Sequence, residues 1–235
     1  MLKVEGVTKS FGGLTVLRDL TFAVKEGEIV GIIGPNGAGK TTLFNIITGF
    51  LRPNEGRVVF RGRRIDGLRP NRIVKLGVAR TFQLVRPLAD LSVEENVRAS
   101  CLFGREPRRA GEGRVQEILD LFGLGKKADV PARNLSLPEK KKLEFARALA
   151  TSPVLLLLDE VMAGLLPREV EGMLETVRRV KDKEKLTIVV VEHNMHVIHA
   201  LCERIIVLNF GEKIFEGPPD EATRDRGVIE AYLGV

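Results

Sequence analysis

Eight residues, GPNGAGKT from Gly34 to Thr41, have types and spacing suited to holding a phosphate chain. The pattern G-x-x-x-x-G-K-[ST] follows an apolar run, GEIVGIIG, and precedes a helical one, which is the setting a phosphate loop requires. Gly34, Gly37 and Gly39 let successive backbone N–H groups curl round an anion, and the helix start adds to its attraction. Lys40 can reach β- and γ-phosphates, and the Thr41 hydroxyl can ligate Mg2+. A second apolar run, VLLLLDE, ends in Asp159, where a carboxylate can hold Mg2+ through its water shell. Glu160, one residue on, is free of the metal and can orient or polarise an attacking water. His193 ends a third such run, IVVVEH, at the edge where ligands bind in parallel sheets, and is read as a γ-phosphate contact. His196 and His199 follow at three-residue spacing, which raises a metal site. Without H-E-x-x-H or a nearby Cys pair, these two are assigned to the surface or packing of the next helix.

One further stretch, RNLSLPEKKKLEFARALA from Arg133 to Ala150, has the S-x-x-E spacing of a capping box at Ser136 and Glu139. Pro138 falls in the first turn, where a missing N–H is tolerated. A helix start is also an anion site, so this one either only begins a helix or holds a phosphate with one donor deleted.

These groups need elements to position them. MLKVEGV, LTFAV and RVVFRG read as short strands, GEIVGIIG as a buried parallel strand, and Lys40 to about Gly49 as a helix. The pattern is helical from Val93 to Phe122 and on to Ala150. SPVLLLLDE and LTIVVVEH are buried strands separated by a helix near Pro167 to Lys183. The chain closes with a hairpin about Asn209 to Gly211 and a short helix. Strands alternating with helices indicate an α/β fold with a largely parallel sheet, interrupted by a helical insertion.

At 235 residues, 44% hydrophobic and 29% charged, the chain can bury a substantial core. No apolar run approaches a membrane span and no signal-peptide pattern opens the chain, so a membrane role is expected to be by docking. Cys101 and Cys202 lie in apolar contexts and are expected to be reduced, packed thiols. The net charge of +6 permits an acidic partner, but the basic residues are dispersed and aromatics are only 5%, which argues against a stacking platform for single strands. The densest basic cluster, Arg105, Arg108, Arg109 and Arg114, carries Gly and Pro and reads as a loop.

With these motifs in hand, the whole chain resembles the nucleotide-binding subunit of an ATP-binding cassette (ABC) transporter. KSFGG resembles the A-loop, Gln83 in ARTFQ the Q-loop, Leu135 to Glu139 the signature, Leu155 to Asp159 Walker B and AGLLP the D-loop. The resemblance implies a P-loop NTPase cassette as one domain: residues 1–84 and 151–235 as a catalytic core with an N-terminal antiparallel β subdomain, and about 85–150 as a helical signature subdomain. It implies that Phe11 stacks on adenine with Val16 beside it, and that Asn36, Ala38 and Thr42 join the loop residues in binding ATP. It makes Glu160, His193 and Gln83 catalytic, and Thr41, Gln83 and Asp159 the Mg2+ site.

The family works as a head-to-tail dimer of cassettes on membrane permease subunits at the cytoplasmic face. Each ATP lies between one subunit's Walker A and the other's signature, so Ser136 acts in trans. GVARTFQLVRPLADLSVEENV and the ending VIEAYLG most resemble import ATPases for branched-chain or other hydrophobic amino acids, whose permease receives solute from a binding protein. Lipopolysaccharide-export ATPases are near relatives. Soluble ABC ATPases acting on nucleic acid or ribosomes usually carry two cassettes or a long coiled coil, neither present here, so no nucleic-acid partner is expected. Two departures stand out: Leu-Ser-Leu-Pro-Glu replaces the usual Leu-Ser-Gly-Gly-Gln, and Leu166 stands where the D-loop usually has Asp or Asn.

Overall fold

Apolar runs bounded by glycine form the strands, and amphipathic runs the helices, of the computed structural model, which describes residues 1–106 and 112–233. Arg108 and Arg109 of the basic cluster, and the last two residues, lie outside the described residues. The first part of the chain runs β1 (Leu2–Phe11), β2 (Leu14–Val24), β3 (Ile29–Ile33), α1 (Lys40–Ile47), β4 (Glu55–Phe60), β5 (Arg63–Arg64), α2 (Pro70–Leu76) and β6 (Val78–Arg80). Next come α3 (Val93–Phe103), α4 (Glu112–Leu121), α5 (Leu137–Ala150), β7 (Leu155–Asp159) and α6 (Pro167–Glu184). The chain ends with β8 (Thr187–Val191), α7 (Met195–Leu201), β9 (Arg204–Asn209), β10 (Glu212–Gly217), α8 (Pro219–Ala222) and α9 (Arg226–Leu233). Two compact units result, Met1–Ile73 with Thr187–Val235, and Val74–Leu186.

In the first unit, an antiparallel sheet runs in the order β2-β1-β4-β5, with Leu2 opposite both Val24 and Phe60. Beside it, β3 is flanked in parallel by β8, pairing Val30 with Val189, and by β9, pairing Gly31 with Ile205. Every residue of β3 and β8 is buried, which is why both read as unbroken apolar runs rather than alternating ones. The β9–β10 hairpin turns at Phe210 and Gly211, with φ of 44° and 84°, the pair of positive values a type I′ turn demands.

In the second unit, β6 and β7 pair in parallel, Val78 with Leu155. Helix α3 begins with a reciprocal cap: Glu95 donates its N–H to the Ser92 hydroxyl at 3.1 Å, and its carboxylate accepts the Ser92 N–H at 2.7 Å. Phe122, just beyond α4, meets Phe145 of α5 edge to face at 4.8 Å between centroids. The helical stretch expected at about 85–150 lies inside this unit, which also takes in β6, β7 and α6. Three-residue β6 left no periodicity to read.

Cys101 and Cys202 are both free and buried. Burial pushes the Cys202 thiol up to about 12, with the charges of Glu192 and Glu203 adding to it. Burial also raises Cys101, against the opposing pull of Arg114 and Arg98. Since the thiolate is the reacting form, native protein at pH 8 should resist a thiol reagent. The same protein unfolded in guanidinium should take up two equivalents, its full complement of 2 cysteines. Fast labelling of the native state, followed by absorbance, would contradict this packing.

Candidate nucleotide and catalytic sites

In the first unit, β3 delivers the glycine loop to α1. A Cβ at Gly34 (φ 150°) would lie 2.1 Å from the Leu208 carbonyl oxygen, so only glycine fits. Gly39 (φ 102°) caps α1 and runs against β2, where a Cβ would meet Leu17 at 2.6 Å and the Val16 carbonyl at 2.9 Å. Around Gly37 (φ 83°) nothing lies within 4 Å of such a Cβ, which leaves the loop's outer face open to a ligand. Asn36 is exposed beside it, and Ala38 is buried, its N–H turned to the Pro35 carbonyl at 3.2 Å. Lys40 bends back over the loop, and its Nζ donates to the Gly34 carbonyl at 2.6 Å and the Pro35 carbonyl at 2.9 Å. Thr41 is exposed and Thr42 half-buried on the first turn of α1.

Phe11 ends β1 and is 46% exposed, and Lys9 Nζ sits over its ring, 5.0 Å from the centroid. His193 is exposed in the short link between β8 and α7. The other two histidines lie on α7, where His199 Nδ1 pairs with Asp220 at 2.9 Å. Sequence reasoning missed Tyr232 of α9, which shares a hydrogen bond with the Gly34 backbone. No spacing rule connects those positions.

In the second unit, β7 ends in Asp159, whose side chain is 4% exposed and pairs at 2.6 Å with Arg80, itself 5% exposed, at the end of β6. Its N–H donates to the Thr81 hydroxyl at 3.1 Å, so the strand end is fixed through backbone and carboxylate together. Glu160 follows in a left-handed conformation, φ 48°, which costs an L-residue about 1–2 kcal/mol. Its Oε2 accepts from Gln83 Nε2 at 2.8 Å, and its carbonyl accepts from Lys141 Nζ of α5 at 3.0 Å. Gln83 and Glu160, 77 positions apart, are therefore in direct contact. Arg80 and Lys141 carried no motif and were not singled out from the sequence.

The signature turn is also held from within. Glu139 Oε2 accepts both the Ser136 N–H at 3.0 Å and the Ser136 hydroxyl at 2.9 Å, while Oε1 takes Lys127 at 2.5 Å. Lys127, foremost, and the two Ser136 bonds hold the Glu139 carboxyl below the usual range, against partial burial. Leu137 lies against Gly164, whose Cβ would sit 3.5 Å from Leu137 Cδ2, so signature and D-loop are neighbours. Leu137 and Leu166 are both exposed, at 48% and 67%.

A glycine loop between a buried parallel strand and a helix, and a second strand ending in Asp-Glu, define the class: a P-loop ATPase cassette. The chain belongs to the ABC transporter family, whose model matches residues 17–163, and the branched-chain amino acid ATP-binding cassette transporter model matches residues 212–235. It is 36% identical over 249 residues to the high-affinity branched-chain amino acid transport ATP-binding protein LivG of Salmonella typhimurium, covering 100% of this chain and 98% of that protein. BraF of Pseudomonas aeruginosa, described in the same words, is 34% identical over 249 residues, with coverage of 100% and 98%. A nucleotide-free ATP-binding cassette from an ABC transporter superposes with a TM-score of 0.90 at 31% identity, covering 100% of this chain and 99% of that one. A dimeric post-hydrolysis cassette bound to ADP and Pi superposes with a TM-score of 0.81 at 30% identity, covering 93% and 99%.

The buried Arg80–Asp159 pair gives a direct test of the strand-end geometry. Removing one partner of a buried pair strands the other charge, at a cost of about 3–5 kcal/mol. Arg80→Met should lower the unfolding free energy by that order, and adding Asp159→Asn should recover part of it, as read by chemical denaturation. Simple additivity of the two losses would show that the pair is not coupled.

Proposed function

We propose that this chain is the ATP-hydrolysing subunit of an importer for branched-chain or other hydrophobic amino acids. In this reading it works as a dimer with a second ABC subunit on integral-membrane permease subunits, at the cytoplasmic face, with a solute-binding protein delivering cargo to the permease. The observation that carries the substrate class is the match of residues 212–235 to the branched-chain family model, added to full-length likeness to LivG. Among the described residues no helix is long and apolar enough to cross a membrane, which agrees with docking on separate permease subunits.

Residues Gly34 to Thr42 bind the phosphates, and Lys40 exchanges its two loop carbonyls for phosphate oxygens. Phe11 stacks on the adenine, with Val16 beside it. The Thr41 hydroxyl, Asp159 carboxylate and Gln83 amide oxygen are hard donors suited to Mg2+, which when bound would neutralise charge on the β- and γ-phosphates. Glu160, held by Gln83, takes a proton from the water whose oxygen attacks the γ-phosphorus. The β–γ bridging bond breaks, and ADP and inorganic phosphate leave. His193 donates to the γ-phosphate, and Ser136 of the second subunit completes the site in trans. Glu160→Gln should keep ATP binding while lowering turnover at least tenfold, since a general base contributes about 10²–10⁴-fold. Near-normal turnover would remove Glu160 from this role.

The signature turn can hold a phosphate only if Glu139 gives up Ser136. Pro138 offers no N–H in any case, and an ionised Glu139 opposes the approaching phosphate. Hydrogen bonds to charged groups are worth roughly 1.5–3 kcal/mol, about tenfold or more in affinity. Glu139→Gln or Pro138→Gly should therefore strengthen Mg-ATP-dependent dimerisation in a Glu160→Gln background, and Ser136→Ala should weaken it. Sedimentation with and without Mg-ATP reads this. Changes confined to melting temperature would make the turn a helix cap alone.

A further inference from the structure

The Gln83–Glu160 contact joins two loops, and the same helix grips both of them. On α5, Lys141 is 5% exposed, and its Nζ donates to the Glu160 carbonyl at 3.0 Å. One turn on, Glu144 is 9% exposed and its carboxylate accepts the Phe82 backbone N–H, next to Gln83. Arg147, one turn further, bonds Glu144 at 2.9 Å and the Arg86 carbonyl at 3.1 Å. Residues three apart share a helix face, so a single edge of α5 carries all three grips. That helix begins at Ser136, the residue assigned above to the partner's nucleotide.

We propose that Lys141 is a positioning residue for the catalytic carboxylate: from the signature helix it holds Glu160 in its left-handed conformation, so that the side chain meets Gln83 and aims at the attacking water. A buried ammonium must satisfy its donors on fixed acceptors, and a carbonyl in a backbone region unfavourable to L-residues is one whose geometry such a donor can hold. Any shift of α5 is then passed to Glu160 through the Lys141 hydrogen bond. Ser136 and Lys141 belong to the same helix, so engagement of the signature and alignment of the base are mechanically coupled. The inference rests on the role of Glu160 given above and extends it to α5.

The test compares Lys141→Met and Lys141→Arg with the natural protein, each with Glu160 and with Glu160→Gln. With Glu160 present, Lys141→Met should lower kcat about tenfold or more, because misplacing a catalytic group by an ångström costs up to roughly a hundredfold. KM for ATP should stay within about twofold, and Lys141→Arg, which keeps a charged donor, should restore most of the rate. In the Glu160→Gln background the same substitution should leave the residual single-turnover rate unchanged, since no base remains to align. An unaltered kcat in Lys141→Met, or an equal proportional loss with and without Glu160, would overturn the proposal. If Lys141→Met does not fold, Lys141→Gln, a shorter neutral donor, takes its place with the same expectations and the same overturning results. Failure of the Glu160 assignment itself would appear separately, as normal turnover in Glu160→Gln alone.

Discussion

At the end of β3 the Leu208 carbonyl of β9 stands where a side chain on residue 34 would begin, 2.1 Å from the position of its Cβ. That close approach lets the chain leave a fully buried strand and turn at once into the glycine loop. Much of the first unit follows from it. β3 is apolar throughout because both of its faces are buried, Gly39 must admit Val16 and Leu17 of β2, and Lys40 finds carbonyls of the loop itself. The antiparallel sheet thereby brings Val16 to the edge of the phosphate loop, with Phe11 at the end of the neighbouring strand. In the proposed function, adenine stack and phosphate cradle are then both built from strand ends.

The second unit is organised by buried charge. Asp159 and Arg80, Glu144 and Arg147, and Lys141 on the Glu160 carbonyl each place a charged group where an isolated one would be costly. Each pairing also fixes a backbone that motif residues stand on: the end of β7, the turn at Glu160 and the segment of Gln83. Such pairs contribute little net stability against well-packed apolar residues. Their value here is geometric, since in the proposed mechanism hydrolysis depends on where Glu160 points more than on how tightly the unit folds.

The fold was legible because its main elements announce themselves by length and period. The apolar runs 29–33, 155–158 and 188–191 became the cores of buried parallel strands, and Phe210-Gly211 became a type I′ hairpin turn. Short elements such as β6 gave no period, and the division into units at Ile73 and Leu186 depends on packing that no local pattern encodes. Motif residues were legible for the same reason, since spacing within one loop is local. Gln83 could be named from its motif, but its bond to Glu160 could not be read from a separation of 77 residues. Arg80, Lys141 and Tyr232 were invisible because each acts through a partner distant in sequence. At Ser136, the S-x-x-E spacing gave the turn, but the structure supplied the direction: the hydroxyl donates to Glu139, which Lys127 holds ionised.

In the proposed function, ATP hydrolysis by this subunit energises uptake of hydrophobic amino acids. The most direct measurement of that coupling is the ATPase rate of this chain co-purified with its membrane partners and reconstituted in lipid vesicles, with and without the solute-binding protein. Loading that protein with leucine, isoleucine or valine should raise the rate several-fold above the unloaded state. A rate indifferent to every hydrophobic amino acid, but raised by an outer-membrane lipid, by DNA or by ribosomes, would contradict it.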